Sequence, residues 1–378
     1  IEDCVDAVDV ETICILVGMM LLVAVIKNSG IFEYIAIKAA KIAKGRPWPI
    51  MVIFILITAV CSGMLDNVTT VLLVGPMTLA ITNILKVDPV PYIITQIMAS
   101  NIGGTATLIG DPPNIMIGSA AKLGFVDFIL NTGVATIFVI IVGLICMYFI
   151  YGRKLFVTDE SIAKVMQLDE NKAIKDRKLM HESVIVIILV ALCFIFHDQL
   201  GVQSCTVAIA AACIMLLIGG QEPEEIIADV EWPTILFFTG LFIVVGGMKK
   251  VGVITMLANG LISITHGNMI VTMMVILWVS AIVSSFLDNI PFVATLIPMI
   301  LTMQAEGMDV APIWWALSLG ACLGGNGTLI GASANVVLSG ISKNNGHPIT
   351  FGQYFKIGFP MMILSIIVCS VFLLIRFA

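Results

Sequence analysis

Two Asp-Asn pairs carry the most pointed chemistry in this sequence. Asp66-Asn67 lies in "SGMLDNVTTVLLVGPM" (62–77) and Asp288-Asn289 in "SSFLDNIPFVATLIPM" (284–299). Long apolar arms flank each pair on both sides. A carboxylate at the centre of a bilayer costs about 2.5–3.5 kcal/mol on insertion scales. Two of them at matching places point to groups that face a cavity and bind a cation or a proton. Asp66, Asn67, Asp288 and Asn289 are the candidate Na+ ligands, and Thr69 joins the first set. Asp and Asn are also favoured N-caps, so the other reading of each pair is the cap of its second arm. The two roles are compatible.

A second kind of stretch supplies oxygens and bare backbone. "SNIGGTATLIGDPPNIMIG" (100–118) interrupts an apolar run with glycines, threonines, an aspartate and two prolines. Glycine lets the chain unwind at little steric cost. Pro112 and Pro113 stop one half-helix and permit the next to start. Gly104, Thr105, Thr107 and Asn114 are the candidates at this gap. In "GACLGGNGTLIGASANVV" (320–337) they are Gly325, Asn326, Thr328 and Asn335. Half-helix ends present unpaired N–H and C=O groups that together can replace an ion's hydration shell. Asp111 has Ala332 as its counterpart. It either gives one half-site a distinct ionic role or simply forms the turn before Pro-Pro.

The elements that position these residues read as membrane helices. Of 378 residues, 59% are hydrophobic and 12% charged, against about 25% charged in a soluble domain. A spanning helix needs about 20 largely apolar residues, and such runs recur along the chain. The net charge is −6 without a basic cluster, so nucleic acid is not implied. The nine cysteines show no CxxC spacing and read as small packing residues rather than a metal site.

The chain repeats itself. Besides the two Asp-Asn segments, "GGTATLIGDPPN" (103–114) matches "GGNGTLIGASAN" (324–335) at seven of twelve positions, and "DVETICILVG" (9–18) matches "DVEWPTILFFTG" (229–240), all at an offset near 220. Repeat 1 (1–151) is expected to hold a span at 12–31, a basic loop, a re-entrant hairpin at 47–85, a broken helix at 89–122 unwound over 102–112, and a span at 128–151. A cytoplasmic linker follows at 152–182. Repeat 2 (183–378) is expected to hold spans at 183–199, 202–219 and 233–250, a hairpin at 268–304, a broken helix at 311–342 and a span at 355–376. Counting crossings makes the repeats inverted. With the linker inside, 14 of the 19 Lys and Arg fall on the inner side, as the positive-inside rule requires. Spans 183–219 have no counterpart ahead of residue 1, so about two further spans are expected there. Glu11 and Glu231 read as helix-start charges, and Trp314 and Trp315 as interface residues.

On "FLDNIPF", "GGTATLIGDPPN" and "GACLGGNGTLIGASANVV" the sequence resembles the P-protein (pink-eyed dilution) and arsenite-permease branch of the ion transporter superfamily. The resemblance covers nearly the whole chain. It implies a scaffold domain and a transport domain that alternate by an elevator-type motion, in a homodimer. The hairpin tips of related dicarboxylate carriers hold Ser-Asn-Thr. Here they read Asp66-Asn67-Val68 and Asp288-Asn289-Ile290, and the added negative charge disfavours a carboxylate. The short linker implies a microbial member, in the plasma (inner) membrane.

The expectation is therefore an all-α polytopic secondary transporter, not an enzyme, moving a small inorganic ion coupled to Na+ or H+, with cation/proton exchange favoured. An anion, arsenite or carboxylate carrier of the same fold is the alternative. No cofactor is expected beyond the coupling ion. An ATP-driven pump lacks its GxxxxGK[ST] motif. An intramembrane aspartyl protease needs one catalytic pair rather than duplicated hairpins, and a channel needs a continuous pore.

Overall fold

The computed structural model describes residues 2–377, which form helices joined by short segments. The first half contains α1 (Glu2–Asp6), α2 (Val10–Lys27), α3 (Ile31–Ile42), α4 (Pro47–Met64), α5 (Asn67–Leu85), α6 (Val90–Thr105), α7 (Pro112–Ala121), α8 (Phe125–Phe128) and α9 (Val134–Ile150). Then come α10 (Asp159–Met166), α11 (Arg177–Leu200), α12 (Ser204–Ile218) and α13 (Pro223–Ala228). The second half contains α14 (Trp232–Lys250), α15 (Val253–Thr265), α16 (Met269–Phe286), α17 (Asn289–Ala305), α18 (Ala311–Gly324), α19 (Ser333–Asn344) and α20 (Phe351–Phe377). Eight helical stretches among the described residues are long and apolar enough to cross a membrane.

Local chemistry sets several ends differently from expectation. The first span runs Val10–Lys27 rather than 12–31, because Asp9 caps it through the N–H groups of Glu11 and Thr12. Gly30 then takes φ 81°, open to glycine, and starts α3 where a basic loop was expected. Ile31, Phe32, Ala36, Ala39 and Ala40 of α3 are buried. Gly252, also at φ 81°, starts α15 in the same way, in a stretch where no helix was expected. The linker is folded: α10 and two short 3₁₀ turns occupy it, and α11 begins at Arg177 rather than 183. The span expected at 128–151 starts at α8, passes through a π-helical turn at Ile129–Gly133 and continues as α9. The first break covers 106–111 rather than 102–112. The second follows a 3₁₀ turn at Gly325–Gly327. Trp314 and Trp315 are buried, not interfacial, and Trp315 meets Phe128 edge-on at 5.3 Å.

The helices of the two halves pack reciprocally. The helix before each Asp lies along the half-helix of its own half, α4 on α6 and α16 on α18. The helix after each Asp crosses to the opposite half, α5 on α19 and α17 on α7. Small residues permit the close approach. A Cβ on Gly103 would sit 2.1 Å from the Ala59 carbonyl oxygen, and one on Gly320 would sit 2.5 Å from that of Leu277. Helices α2 and α14 run antiparallel. Lys27, at the end of α2, pairs with Asp229, just ahead of α14, at 2.8 Å. Gly246, near the end of α14, packs on Ala7, ahead of α2.

Candidate ion-binding site

Both Asp-Asn corners are helix starts. Asp66 precedes α5 and accepts the Thr69 N–H at 2.8 Å on Oδ1 and the Thr69 hydroxyl at 2.5 Å on Oδ2. Asp288 precedes α17 and accepts the Ile290 N–H at 3.1 Å and the Ser333 hydroxyl at 2.8 Å. The difference follows from two prolines. Pro291 occupies the place of Thr69 and has neither N–H nor hydroxyl, while Pro112 occupies the place of Ser333. Asp66 is therefore held by its own helix, and Asp288 is tied to the break of its own half.

Amide side chains organise the two breaks. Asn114 donates to the carbonyls of Gly104, Thr105 and Thr107 at 3.3, 3.2 and 2.9 Å. Asn335 donates to those of Gly325 and Thr328 at 2.7 and 2.8 Å. The unwound carbonyls thus gain donors that a helix would have supplied. The Thr107 hydroxyl donates to the Gly63 carbonyl and the Thr328 hydroxyl to that of Ser285, pinning each break to the corner beside it. Between the halves, Asn101 donates to Oδ1 of Asn326 and of Asn335, both at 2.9 Å, and accepts from Asn67 at 3.3 Å. Ser318 and Cys322 in turn donate to Asn114 Oδ1 at 2.6 and 3.5 Å.

A cavity of about 20 Å³ lies among Asp66, Asn67, Asp111, Asn289, Glu231, Thr234 and Ser333, with Leu16, Met20 and Ile290 among its apolar walls. That is room for roughly one water-sized particle. Asp66 and Asp111 are buried, and Asn289 Nδ2 lies 3.4 Å from both oxygens of Asp111. No Lys, Arg or His lines the cavity. Buried carboxylates without an opposite charge are costly, so this cavity suits a cation or protons. Among the described residues, no three His, Cys, Asp or Glu form a compact metal cluster. The donors on offer are hard oxygens, the type that holds alkali and alkaline-earth cations rather than soft metals.

The structure brings Asp66, Asn67, Asp111 and Asn289 to one cavity. Asp288 is placed beside it on Ser333, and Thr69 behind Asp66. Gly104, Thr107, Asn114, Gly325, Asn326, Thr328 and Asn335 shape the breaks. Sequence reasoning missed Asn101, Ser318, Cys322, Thr234 and Ser333, and it assigned Glu231 to a helix start without a place at the site. Glu231 lines the cavity and accepts from Thr234 at 3.2 Å. Asn101, an amide in an apolar half-helix, was the available signal; its counterpart Cys322 hid it from the repeat comparison.

Residues 1–320 match the family model described as CitMHS, citrate transporter. An uncharacterized transporter of Mycobacterium bovis is 42% identical over 374 residues, covering 98% of this chain and 87% of that protein. A 46 kDa membrane protein of Mycobacterium leprae is 39% identical over 373 residues, with the same coverage. The human P protein is 33% identical over 452 residues, covering 98% of this chain and 54% of the longer protein. With its apolar helices, paired breaks and oxygen-lined cavity, the chain belongs to the CitMHS citrate-transporter family of the ion transporter superfamily and is an integral membrane transport protein.

Proposed function

We propose that this protein is a secondary active transporter that binds a small cation at Asp66, Asn67, Asp111 and Asn289 and couples its movement to Na+ or H+, with cation/proton exchange as the favoured reaction. One observation carries the reading: three carboxylates, with no cationic side chain, line a cavity sized for one small particle. The α4–α5 and α16–α17 pairs act as re-entrant hairpins, and the breaks at 106–111 and 328–332 bring non-helical backbone near the midplane. Inverted repeats account for the antiparallel α2 and α14 and for the reciprocal packing. Such repeats operate by alternating access, here with the hairpins and broken helices moving as one body. The setting proposed is a bacterial plasma membrane with the linker cytoplasmic, and the assembly a homodimer.

A second reading keeps the fold and changes the cargo. The family description names citrate, and α19, unlike α7, starts without proline at its first two positions and so presents N–H groups to an anion. In that reading Asp66 and Asp111 hold coupling cations, and the cargo is a carboxylate, another anion or arsenite. Proteoliposome flux of Na+, chloride, arsenite, citrate and dicarboxylates, under imposed pH and Na+ gradients, separates the two. Cation flux driven by a proton gradient with no anion present supports exchange. Flux that requires a carboxylate overturns it in favour of the second reading.

A further inference from the structure

The equivalent glutamates at the starts of α2 and α14 sit in different surroundings. Glu231 lines the cavity with Asp66 and Asp111. Its sequence counterpart Glu11 lines a separate cavity of about 290 Å³ with Ser119, Lys122 and Gln203, and Asp288 is not among the residues around it. The neighbouring packing is unequal in the same sense. Helix α2 packs on α7, whereas contact between their counterparts α14 and α19 is slight or absent.

The two glutamates also belong to opposite faces. Asp229 and Glu231 lie just ahead of α14, where Asp229 pairs with Lys27 at the end of α2. The linker docks at that same end, where Lys175 N–H donates to the Ser29 carbonyl at 3.0 Å. Glu11 lies near the other end of α2, about 24 Å from Lys27 at 1.5 Å rise per residue.

We propose that Glu231 is a cation ligand of one conformational state only, and that Glu11 replaces it, beside Asp288, in the opposite state. This rests on the reading of Asp66 and Asp111 as cation ligands. Two repeats of similar sequence that pack unequally can exchange their packings, and the exchange maps Glu231 with Asp66 onto Glu11 with Asp288. A carboxylate fixed on α14 completes the oxygen shell while the site faces the linker side. One fixed on α2 does so when the site faces the other side. Each glutamate then sets affinity on its own face, and a site between the two lacks its last ligand, which resists leak.

Paired cysteines in the full chain, with the native cysteines replaced and the protein in vesicles, test this without knowledge of the cargo. A mercuric ion joins thiols only when they are in contact. The pair Glu231→Cys with Asp66→Cys is expected to be joined, and so is Glu11→Cys with Asp288→Cys. If only the first pair is joined, the exchange is overturned. If neither is joined, the cavity reading itself fails. A flux assay with Na+, and then with protons, adds the functional arm. Glu231→Gln is expected to raise the half-saturating concentration about tenfold on the linker face alone, and Glu11→Gln on the opposite face alone. Equal shifts on both faces, or none, with wild-type melting temperature, overturn the proposal. Loss of saturable binding in Asp66→Asn would be separate evidence on the underlying site.

Discussion

The Asn101 side chain donates to Oδ1 of Asn335 at 2.9 Å, joining a half-helix of one repeat to the break of the other. Its second N–H goes to Asn326 and its oxygen to Asn67, so one buried amide is shared among three others. Asn335 relays the contact to the carbonyls of Gly325 and Thr328. The unwound segment of the second repeat is therefore held by a residue of the first.

Replacing Asn101 by Leu strands three amides in a buried site. Each unpaired group costs about 1–3 kcal/mol. Asn101→Leu is expected to lower the melting temperature in detergent and to reduce flux. Cys322→Ala, at the equivalent position, removes only weak thiol contacts, to Asn114 at 3.5 Å and to Asp111, and is expected to cost far less. Equal losses in the two variants would remove the special role assigned to Asn101.

Capping and ion binding at Asp66 can be separated by chemistry. Asn caps a helix nearly as well as Asp but carries no charge. Asp66→Asn is expected to keep the melting temperature and abolish coupled flux. Asp66→Ala is expected to lose flux and about 0.5–2 kcal/mol of stability as well. Asp288→Asn keeps one oxygen for the Ile290 N–H and offers the Ser333 hydroxyl an amide N–H in place of the second oxygen, and it is expected to behave like Asp66→Asn. Wild-type flux in both Asn variants, read in proteoliposomes, would leave capping as the whole role of the pair.

The local parts of the site were legible in the sequence. Asp66 and Asp288 stand out as charges between apolar arms, and the glycines and prolines around 102–113 mark a break in any helix. The amphipathic helices α3 and α15 were not legible. The lysines of α3 mask its buried stripe, and α15 falls in a stretch that read as a connection. Nor was Glu231, whose neighbours Asp66 and Asp111 lie far away in sequence and whose position at the start of a span fits a surface charge equally well. The prolines at 112 and 291 were visible, yet their effect on how each Asp is held depends on contacts that spacing alone does not contain.

The two breaks differ in how tightly they are folded. A Cβ on Gly104 would lie 2.5 Å from the Gly110 carbonyl oxygen, which belongs to rigid backbone. A Cβ on Gly325 would meet the Ala332 methyl at 3.0 Å. Overpacking of this kind costs typically about 1–3 kcal/mol. Gly104→Ala is expected to impair folding and flux more than Gly325→Ala, as read by melting temperature and initial rate. The reverse order would mean that the first break relaxes more readily than its geometry allows.

The linker gives a prediction in pH. Lys41 Nζ lies 2.6 Å from Glu170 Oε2 and 3.1 Å from the Leu168 carbonyl oxygen, clamping the linker onto α3. The Lys41 hydrogen bond holds the Glu170 carboxyl below its ordinary value of 4.5. A carboxyl depressed in the folded state contributes docking that is fully present above its ordinary value and is lost as pH falls through the depressed one. Amide hydrogen exchange in residues 155–176, corrected for intrinsic rates, is therefore expected to stay slow down to about pH 4.5 and to accelerate below it. Glu170→Gln and Lys41→Met are each expected to exchange faster at neutral pH and to lose that acid step. High salt is expected to mimic the loss in part, because the pair is solvent-accessible and screened. An acid step of unchanged size in Glu170→Gln would assign it to another carboxyl.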